Sequence, residues 1–336
     1  MEPVVIIEKN IPFAKGLLEP YAEVRYLAPE DIDARAMADA DALITRTRTK
    51  CDATLLEGSR CKIIASATIG LDHVELDYCN RAGITVKNAP GCNAPAVAQY
   101  VLASIIAAKG MNLAGLRLGV IGVGHVGSIV SEWGKQLGMD VLCCDPPRAR
   151  KEGKEGFVEL EEVARKADII TFHVPYKRNG DDATHHLCSE EFLSGLSRKP
   201  IIINSARGAV TDTKALIEAS GNGIVGNLII DCWENEPEIS RELLSKAFIA
   251  TPHIAGYSRE GKIRATAMAV AEVCNYFGWK MPDMPESVAS GAAKYITAAK
   301  IAASYNPIID TDALREAPDN FELLRNKYAL RAEVSE

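Results

Sequence analysis

Three glycines in the spacing G-x-G-x-x-G constrain the fold of this chain more than any other feature. Gly122, Gly124 and Gly127 stand between an apolar run and an amphipathic stretch. In this context the first glycine permits a tight turn, the second lets a pyrophosphate approach the backbone, and the third lets the helix pack closely on the strand. The positive end of the helix attracts the anion. The motif therefore predicts a strand–loop–helix unit that binds a dinucleotide, with His125 and Val126 contributing backbone atoms to the loop.

A carboxylate at the end of the next predicted strand selects the dinucleotide. Asp145 follows the glycine motif by about 20 residues, the usual separation for a carboxylate that accepts hydrogen bonds from the adenosine ribose. Such a group repels a 2′-phosphate, so the sequence favours NAD over NADP. NADP stays open as the alternative, because Arg148 and Arg150 lie close enough along the chain to bind a 2′-phosphate.

Short β-branched runs alternate with longer amphipathic stretches along most of the chain, which is the pattern of parallel sheets covered by helices. The predicted strands are 4–7, 42–45, 62–66, 84–86, 118–121, 140–143, 169–172, 201–204, 229–231 and 248–250. The predicted helices include 14–18, 53–58, 94–109 and 259–277. The expected fold is α/β, with two doubly wound parallel-sheet domains and a short C-terminal extension. One domain would be a Rossmann-type cofactor domain and the other a flavodoxin-like substrate domain.

The expected architecture has a discontinuous substrate domain. Residues 1–93 would form the substrate (lid) domain and residues 94–256 the NAD-binding domain. A helix within 257–280 would return to the substrate domain, and prolines mark the start of a charged segment, 281–336. We expect the active site in the cleft between the domains, where closure on the substrate would expel water.

Composition excludes several other classes of protein. The chain has 336 residues, of which 47% are hydrophobic and 25% charged, the balance of a globular protein large enough for two domains. A net charge of -7 without a basic stripe argues against nucleic acid as a partner, and no apolar run reaches the ~18–20 residues of a membrane span. The first residues lack the basic segment of a signal peptide, and nine scattered cysteines without a C-x-x-C pair are typical of reduced thiols. We therefore expect a cytoplasmic protein with neither a disulfide framework nor a metal site.

Three further motifs follow predicted strands, at the edge of a parallel sheet where ligands bind. Arg207 can hold a planar carboxylate through two parallel hydrogen bonds, and His253 can exchange a proton near neutral pH. A neighbouring carboxylate such as Glu236 would orient the histidine and favour its charged form. Downstream of a dinucleotide loop, the three indicate hydride transfer at a carbon that bears a hydroxyl and adjoins a carboxylate. Taken singly, each has a plainer alternative, namely a surface ion pair, a loop histidine and a solvated carboxylate.

The glycine loop and the segments 205–208, 234–237 and 251–254 resemble the D-isomer-specific 2-hydroxyacid dehydrogenases. The resemblance runs from about residue 4 to about 280 and resumes more weakly over about 305–332. Narrower likenesses lie in the segments 46–50, 88–94, 144–148 and 253–257. They resemble one branch of the family, which oxidises a phosphorylated four-carbon 2-hydroxy acid on the bacterial route to pyridoxal 5′-phosphate.

The resemblance implies a role for each matching residue. Arg207, Glu236 and His253 match the catalytic trio: Arg207 would anchor the substrate carboxylate, and His253, supported by Glu236, would take the proton of the C2 hydroxyl. NAD would be the cofactor. The positions that match its contacts are Gly122, Gly124, His125, Val126, Gly127, Asp145, Val174, Ser205, Ala206, Asp231 and Gly256.

The substrate implied by the resemblance is a small phosphorylated 2-hydroxy acid. Thr47, Thr68 and Tyr257 match positions that contact it. Arg46 and Lys50 flank Thr47, and this basic turn would meet the phosphate, which carries close to two negative charges. The alternative is a solvated basic turn at the surface.

Two departures from the family pattern bear on these expectations. Val174 stands where the family usually has threonine, so a side-chain hydrogen bond to the cofactor is lost. The C-terminal region is shorter than the family's dimerisation domain, and the expected homodimer would use the segment 281–336. Two other functions stay open: another D-2-hydroxyacid dehydrogenase, of the 3-phosphoglycerate or glyoxylate/hydroxypyruvate type, and an NADH-sensing scaffold.

Overall fold

Parallel strands and the helices between them make up most of the computed structural model, which describes residues 2–284 and 291–335. The strands are β1 (Val4–Glu8), β2 (Glu23–Leu27), β3 (Ala42–Thr45), β4 (Ile63–Ser66), β5 (Thr85–Lys87), β6 (Arg117–Ile121), β7 (Asp140–Cys144), β8 (Ile169–Phe172), β9 (Ile201–Asn204), β10 (Leu228–Ile230) and β11 (Ala247–Ala250). The helices are α1 (Ala34–Met37), α2 (Ala53–Leu56), α3 (Leu76–Arg81), α4 (Ala94–Lys109), α5 (His125–Gln136), α6 (Pro146–Glu152), α7 (Leu160–Lys166), α8 (Glu190–Ser194), α9 (Thr213–Gly221), α10 (Arg241–Lys246), α11 (Arg259–Phe277), α12 (Ala298–Ser304), α13 (Pro307–Glu316) and α14 (Phe321–Asn326).

The chain divides into two compact units, each with its own sheet. Residues 1–93 and 259–291 form the first unit, and residues 94–258 and 292–336 form the second. Within the described residues, no helix has both the length and the apolar character that a membrane span requires.

The first unit contains a parallel sheet in the order β2-β1-β3-β4-β5, which is the flavodoxin-like order. Alternate residues of β1 enter different clusters: Val5 and Ile7 pack on one face of the sheet, and Val4 and Ile6 on the other. Helix α11 covers the Val5 face, and α1, α2 and α3 contribute to the opposite face. Burial on both faces explains why β1 is continuously apolar.

The second unit contains a parallel sheet in the order β11-β10-β9-β8-β6-β7, a doubly wound arrangement. The strand order reverses between β6 and β8, and the glycine loop follows β6 at this switch point, where such sheets bind ligands. Beyond β7 the chain adds one backbone hydrogen bond, from the Val158 N–H to the Cys143 carbonyl at 2.8 Å. The C-terminal segment of this unit comprises residues 292–336. It completes the unit, because Ile301 and Tyr305 pack on one face of the sheet and Leu314 and Phe321 on the other.

One local prediction was wrong, and one strand was missed. The expected helix at 14–18 is a series of turns, in which Phe13 and Gly16 have φ values of 62° and 90°. Strand β2 was not predicted, because it is a half-exposed edge strand whose sequence includes charged residues. One of them, Arg25, pairs with Asp39 at 2.7 Å. The predicted fold class and the long helices α4 and α11 are confirmed.

Candidate active site

The glycine loop joins β6 to α5 and leaves no room for a side chain at two of its three glycines. Gly122 has a φ of +87°, and a Cβ there would lie 2.8 Å from both the His173 carbonyl and Val174 Cγ1. A Cβ on Gly127 would lie 2.0 Å from the Gly122 carbonyl oxygen, so helix and loop meet through backbone atoms. A Cβ on Gly124 would instead point into open space. The backbone at the start of α5 is thus open to an anionic ligand.

Asp145 directly follows β7 and holds the glycine loop in place. One carboxylate oxygen accepts a hydrogen bond from the Val123 N–H at 2.8 Å, and the other accepts from the Arg148 N–H at 3.1 Å. The first contact holds the glycine loop, and the second caps α6. His125 and Val126 are the first residues of α5, and His125 is exposed.

The two arginines that could bind a 2′-phosphate already have carboxylate partners. Arg148 pairs with Glu152 at 2.6 Å, and Arg150 pairs with Asp182 at 2.7 Å. A 2′-phosphate would have to displace these carboxylates. The geometry around Asp145 therefore favours NAD over NADP.

The adjoining ends of β8 and β9 contribute Val174, Ser205 and Ala206. The Ser205 hydroxyl oxygen is buried and has no hydrogen-bond partner among the residues that the structure describes. Since buried polar atoms are normally paired, this hydroxyl has a hydrogen bond left to make, which a neighbouring ligand could supply. The open start of α5, the strand-end carboxylate and the unpaired hydroxyl together fit a dinucleotide.

Glu236 and His253 form an acid–base pair. Glu236 Oε1 lies 2.6 Å from His253 Nδ1, and the side chains are 25% and 24% exposed. Glu236 Oε2 accepts a hydrogen bond from the Trp233 N–H at 3.2 Å. Because Nδ1 faces the carboxylate, Nε2 is the ring nitrogen that can exchange a proton with a substrate. His253 has a φ of 56°, in the left-handed region that non-glycine residues adopt mainly at constrained sites.

The surroundings of Glu236 keep its carboxylate charged. Burial by itself would raise the pKa of this group. The hydrogen bond and charge of His253, the Trp233 N–H and the charge of Arg325 outweigh burial and lower the pKa of Glu236. Glu236 is thus an anion that can stabilise the positive charge of the His253 ring once the ring has accepted a proton.

Asp231 lies buried after β10 and shapes the loop that carries His253. Its Oδ1 accepts from the Thr251 hydroxyl at 2.7 Å and the Ile254 N–H at 2.8 Å, and Oδ2 accepts from the Ala255 N–H at 3.0 Å. Its carbonyl accepts from the His253 N–H at 2.9 Å. Burial raises the pKa of Asp231, against the opposing effect of His253 and these hydrogen bonds.

Arg207 follows β9, the strand next to β10. Its Nη1 donates to the Ala206 carbonyl at 2.9 Å, and its own carbonyl accepts from Asn204 Nδ2 at 2.9 Å. A Cβ on Gly208 would lie 1.9 Å from the Trp233 carbonyl oxygen, so the backbone after Arg207 is also closely packed. These contacts fix Arg207 at the same sheet edge as Asp231.

Gly256 and Tyr257 complete the loop after His253, and two arginines from the C-terminal segment hold it. Arg325 Nε donates to the Tyr257 hydroxyl at 3.2 Å. Arg331 Nη1 donates to the carbonyls of Ile254 and Tyr257 at 3.1 Å each. Sequence reasoning assigned no role to either arginine, and its only signal was the weak resemblance over about 305–332.

The remaining predicted substrate residues lie in the first unit. Arg46 and Thr47 follow β3, and Thr68 follows β4, so adjacent strands bring them to one sheet edge. The Thr68 hydroxyl lies 2.8 Å from the Ser66 hydroxyl and donates to the Gly70 carbonyl at 3.1 Å.

A buried carboxylate that the sequence did not suggest orders the basic turn at 46–50. Glu8 Oε2 accepts hydrogen bonds from the Thr45 hydroxyl at 2.9 Å, the Arg46 N–H at 3.0 Å and the Thr49 hydroxyl at 3.1 Å. Arg46 Nε is buried and has no partner within the described part of the chain. Lys50, by contrast, pairs with Asp52 at 2.8 Å, and its side chain is 81% exposed.

Comparison with known proteins bears on this arrangement. The family model of the D-isomer specific 2-hydroxyacid dehydrogenase, NAD binding domain, matches residues 97–255, a range that includes the glycine loop, Arg207, Glu236 and His253. The erythronate-4-phosphate dehydrogenase of Bacteroides thetaiotaomicron is 46% identical, and the alignment covers 98% of this chain and 97% of that protein. The enzyme of the same name from a Bacteroides fragilis strain is 43% identical, with coverage of 98% and 97%.

A solved structure gives the same picture of the fold. The 3-phosphoglycerate dehydrogenase of Entamoeba histolytica, crystallised with bound NAD⁺, aligns with a TM-score of 0.70 and 26% identity. The alignment covers 85% of this chain and 99% of that chain.

Proposed function

This chain belongs to the D-isomer-specific 2-hydroxyacid dehydrogenases and, within them, to the erythronate-4-phosphate dehydrogenase family, and on that premise we propose that it oxidises 4-phospho-D-erythronate at C2 with NAD. The product is (R)-3-hydroxy-2-oxo-4-phosphooxybutanoate, and the reaction belongs to pyridoxine biosynthesis. The observation that carries the proposal is the 2.6 Å contact between Glu236 and His253, in the unit that also holds the glycine loop.

The mechanism assigns one task to each member of the catalytic trio. Arg207 binds the C1 carboxylate of the substrate through its planar guanidinium. His253 Nε2 accepts the proton of the C2 hydroxyl, and a base positioned in this way contributes about 10²–10⁴-fold to the rate. Glu236 holds the ring by Nδ1 and stabilises the positive charge that the ring gains. NAD supplies the hydride acceptor.

The cofactor contacts follow from the dinucleotide-binding features of the second unit. The start of α5, with Gly122, Gly124 and Gly127, takes the pyrophosphate, and Asp145 accepts hydrogen bonds from the adenosine ribose. Other proposed contacts are made by His125, Val126, Val174, Ser205, Ala206, Asp231 and Gly256.

The substrate contacts outside the trio come from Arg46, Thr47, Thr68 and Tyr257. Arg46 would contribute its guanidinium to phosphate binding, because its buried Nε has no partner within the described residues. Lys50 contributes less, since Asp52 already neutralises its charge.

We also propose that the enzyme is a cytoplasmic homodimer. All nine cysteines are free, which agrees with a reducing compartment. In the C-terminal part of the second unit, Tyr295 and Ile309 expose large apolar side chains, which a partner subunit would cover. Light scattering coupled to gel filtration should give twice the chain mass.

A single-turnover reaction tests the proposed chemistry. Protein is mixed with NAD and 4-phospho-D-erythronate at comparable concentrations, and the fluorescence of the reduced nicotinamide is followed. A single turnover is used because tightly held NADH would hide activity in a steady-state assay. We expect stoichiometric reduction that is lost in Arg207→Ala. Reduction with only a different 2-hydroxy acid would keep the mechanism and discard this substrate.

A further inference from the structure

Arg325 brings a second guanidinium to the active-site loop from a distant part of the sequence. It lies in α14, and its Nε donates to the hydroxyl of Tyr257 at 3.2 Å. Arg325 is also close enough to Glu236 to lower the pKa of that carboxylate. Both Arg207 and Arg325 act on the buried Cys232 as nearby positive charges. Arg325 therefore brings a guanidinium from a distant segment close to Glu236, while Arg207 and Arg325 both lie close to Cys232.

Several N–H donors of the Arg325 guanidinium make no hydrogen bond within the described structure. A guanidinium has five N–H donors. In the described structure, Nε binds Tyr257 and Nη1 lies 3.4 Å from Glu322 Oε1. The Arg325 side chain is only 20% exposed, whereas Glu322 is 45% exposed and therefore a weak partner. A mostly buried cation with spare donors is well suited to an anionic ligand.

The proposed substrate has two anionic groups, a carboxylate and a phosphate, and the catalytic trio binds only the carboxylate. Arg207 takes the carboxylate, so the phosphate needs a cation of its own. The phosphate carries close to two charges near neutral pH, and a single guanidinium does not neutralise it. Since Asp52 neutralises Lys50, Lys50 supplies little of the required charge.

We propose that Arg325, held by the Tyr257 hydroxyl, binds the phosphate of the substrate and thereby makes the enzyme select phosphorylated 2-hydroxy acids. The inference rests on the proposed function and adds a residue to its substrate site. Arg325 is then a specificity-determining residue, and the C-terminal segment is part of the active site.

The experiment compares two acids that differ only in the phosphate. Single-turnover rates are measured against the concentration of 4-phospho-D-erythronate and of D-erythronate, for the full chain and for Arg325→Gln. We expect the half-saturating concentration of the phosphorylated acid to rise at least about 30-fold in the variant, as for loss of a charge-assisted contact. For D-erythronate we expect a change of less than about threefold, because it has no group for Arg325 to bind. Inhibition by inorganic phosphate should weaken together with binding of the phosphorylated acid.

Three further variants separate phosphate binding from structural effects. Arg325→Lys keeps the charge and should lie between wild type and Arg325→Gln. Tyr257→Phe removes one support and should show a smaller loss of the same selectivity. Lys327→Gln removes an exposed cation two residues away and should behave as wild type. Retained binding of NADH, read from its fluorescence, reports that each variant keeps the fold of the second unit.

The possible failures are distinguishable. If Arg325→Gln weakens both acids by the same factor, or lowers only the maximal rate, Arg325 acts through Glu236 and the inference is overturned while the proposed function stands. If wild type reduces no NAD with 4-phospho-D-erythronate, both are overturned. Retained preference for the phosphorylated acid in Arg325→Gln also overturns the inference.

Discussion

At the scale of the residue, the proposed proton transfer depends on hydrogen bonds that already hold the acid–base pair and its loop. Glu236 uses one oxygen for His253 Nδ1 and the other for a backbone N–H, so neither side chain is free to turn. Asp231 uses both oxygens within the loop that carries His253. The ring is therefore held in one orientation before a substrate arrives, which lowers the entropic cost of proton transfer.

Removing the charge of Glu236 tests this role. Glu236→Gln keeps the size of the side chain but no longer stabilises the positive ring, so we expect the single-turnover rate to fall by about 10²-fold. Binding of NADH should stay within about threefold, because Glu236 follows β10 and is not part of the glycine loop after β6. Glu238→Gln changes an exposed carboxylate nearby and serves as the control. An unchanged rate in Glu236→Gln would contradict the assigned mechanism.

His173 predicts a pH dependence of stability. Burial lowers the pKa of His173 to about 3, while the unfolded chain keeps a value near about 6.5. Between these values the unfolded chain binds the proton and the folded chain does not, so stability is full above about pH 6.5 and falls as the pH decreases. We expect the wild type to lose up to about 1 kcal/mol of unfolding free energy between pH 7 and about 5.5.

Thermal unfolding in that pH range provides the measurement. His173→Gln should show a flatter dependence on pH than wild type, whereas His125→Gln, at an exposed position, should follow wild type. Equal slopes for wild type and His173→Gln would show that His173 takes up its proton as readily in the folded chain as in the unfolded chain, which contradicts the lowered pKa.

The sequence identified residues whose chemistry follows directly from a neighbouring strand. Arg207 and His253 come just after strands, where a parallel sheet places its ligand-binding side chains. Glu8 could not be identified in this way, because its function depends on three donors that lie about forty residues away. Arg325 and Arg331 were missed for the same reason, since nothing near them in sequence indicates contact with Tyr257.

At the scale of the element, the loop after β11 depends on a guanidinium from the C-terminal segment. Arg331 donates to carbonyls at 254 and 257, and its Nη2 donates to the Ala96 carbonyl at 3.1 Å and to the Ala255 carbonyl. Its guanidinium also stacks on Tyr305, with 4.5 Å between Cζ and the ring centre. The Arg331 side chain thus connects the loop that carries His253 to α4 and to Tyr305, the residue after α12.

Arg331→Met should separate positioning from folding. Methionine keeps much of the apolar volume but leaves these carbonyls without their donor, which costs roughly 1–3 kcal/mol for each buried acceptor that water does not reach. We expect the loop to lose its fixed shape and the single-turnover rate to fall about tenfold or more, with NADH binding retained. Arg331→Lys should restore part of the rate. A variant that loses NADH binding in proportion to its rate would indicate general unfolding instead.

The elements themselves were predictable where both sheet faces are buried. The central strands are continuously apolar, so their sequences stand out from the helices around them. Strand β2 could not be found in this way, since an edge strand is only half buried and its charged residues resemble a loop. The turns at 14–18 could not be distinguished from a helix by apolar spacing, because positive φ values at Phe13 and Gly16 are a tertiary property.

At the scale of the whole molecule, the C-terminal segment completes the packing of the second unit. Trp133 is almost fully buried, and its indole N–H donates to the Ala293 carbonyl at 2.9 Å. Gln99 donates to the Ser304 hydroxyl at 2.9 Å and to the Ala332 carbonyl at 3.1 Å. Residues far beyond the catalytic loop therefore complete the core of this unit.

A chain that ends at residue 291 should consequently be inactive and less stable. It lacks Arg325, Arg331 and the groups that cover Trp133, so several large apolar side chains would become exposed. We expect a lower unfolding temperature, increased binding of a hydrophobic dye and no NAD reduction. A chain that ends at residue 334 serves as the control and should match the full chain. An active, stable chain of 291 residues would contradict the role given to this segment.

The division of the first unit into residues 1–93 and 259–291 has a consequence for synthesis on the ribosome. One face of its sheet is covered by α11, whose Ala269, Val270 and Val273 enter the same cluster as Val5 and Ile7. Roughly 180 residues separate the end of the first segment from the end of α11. At a translation rate of about 5–20 residues per second, that apolar face stays uncovered for about 10–40 seconds, until α11 has been synthesised. During this interval the nascent chain exposes an apolar surface. The first segment, residues 1–93, is therefore the part of the chain to which a chaperone would stay bound longest.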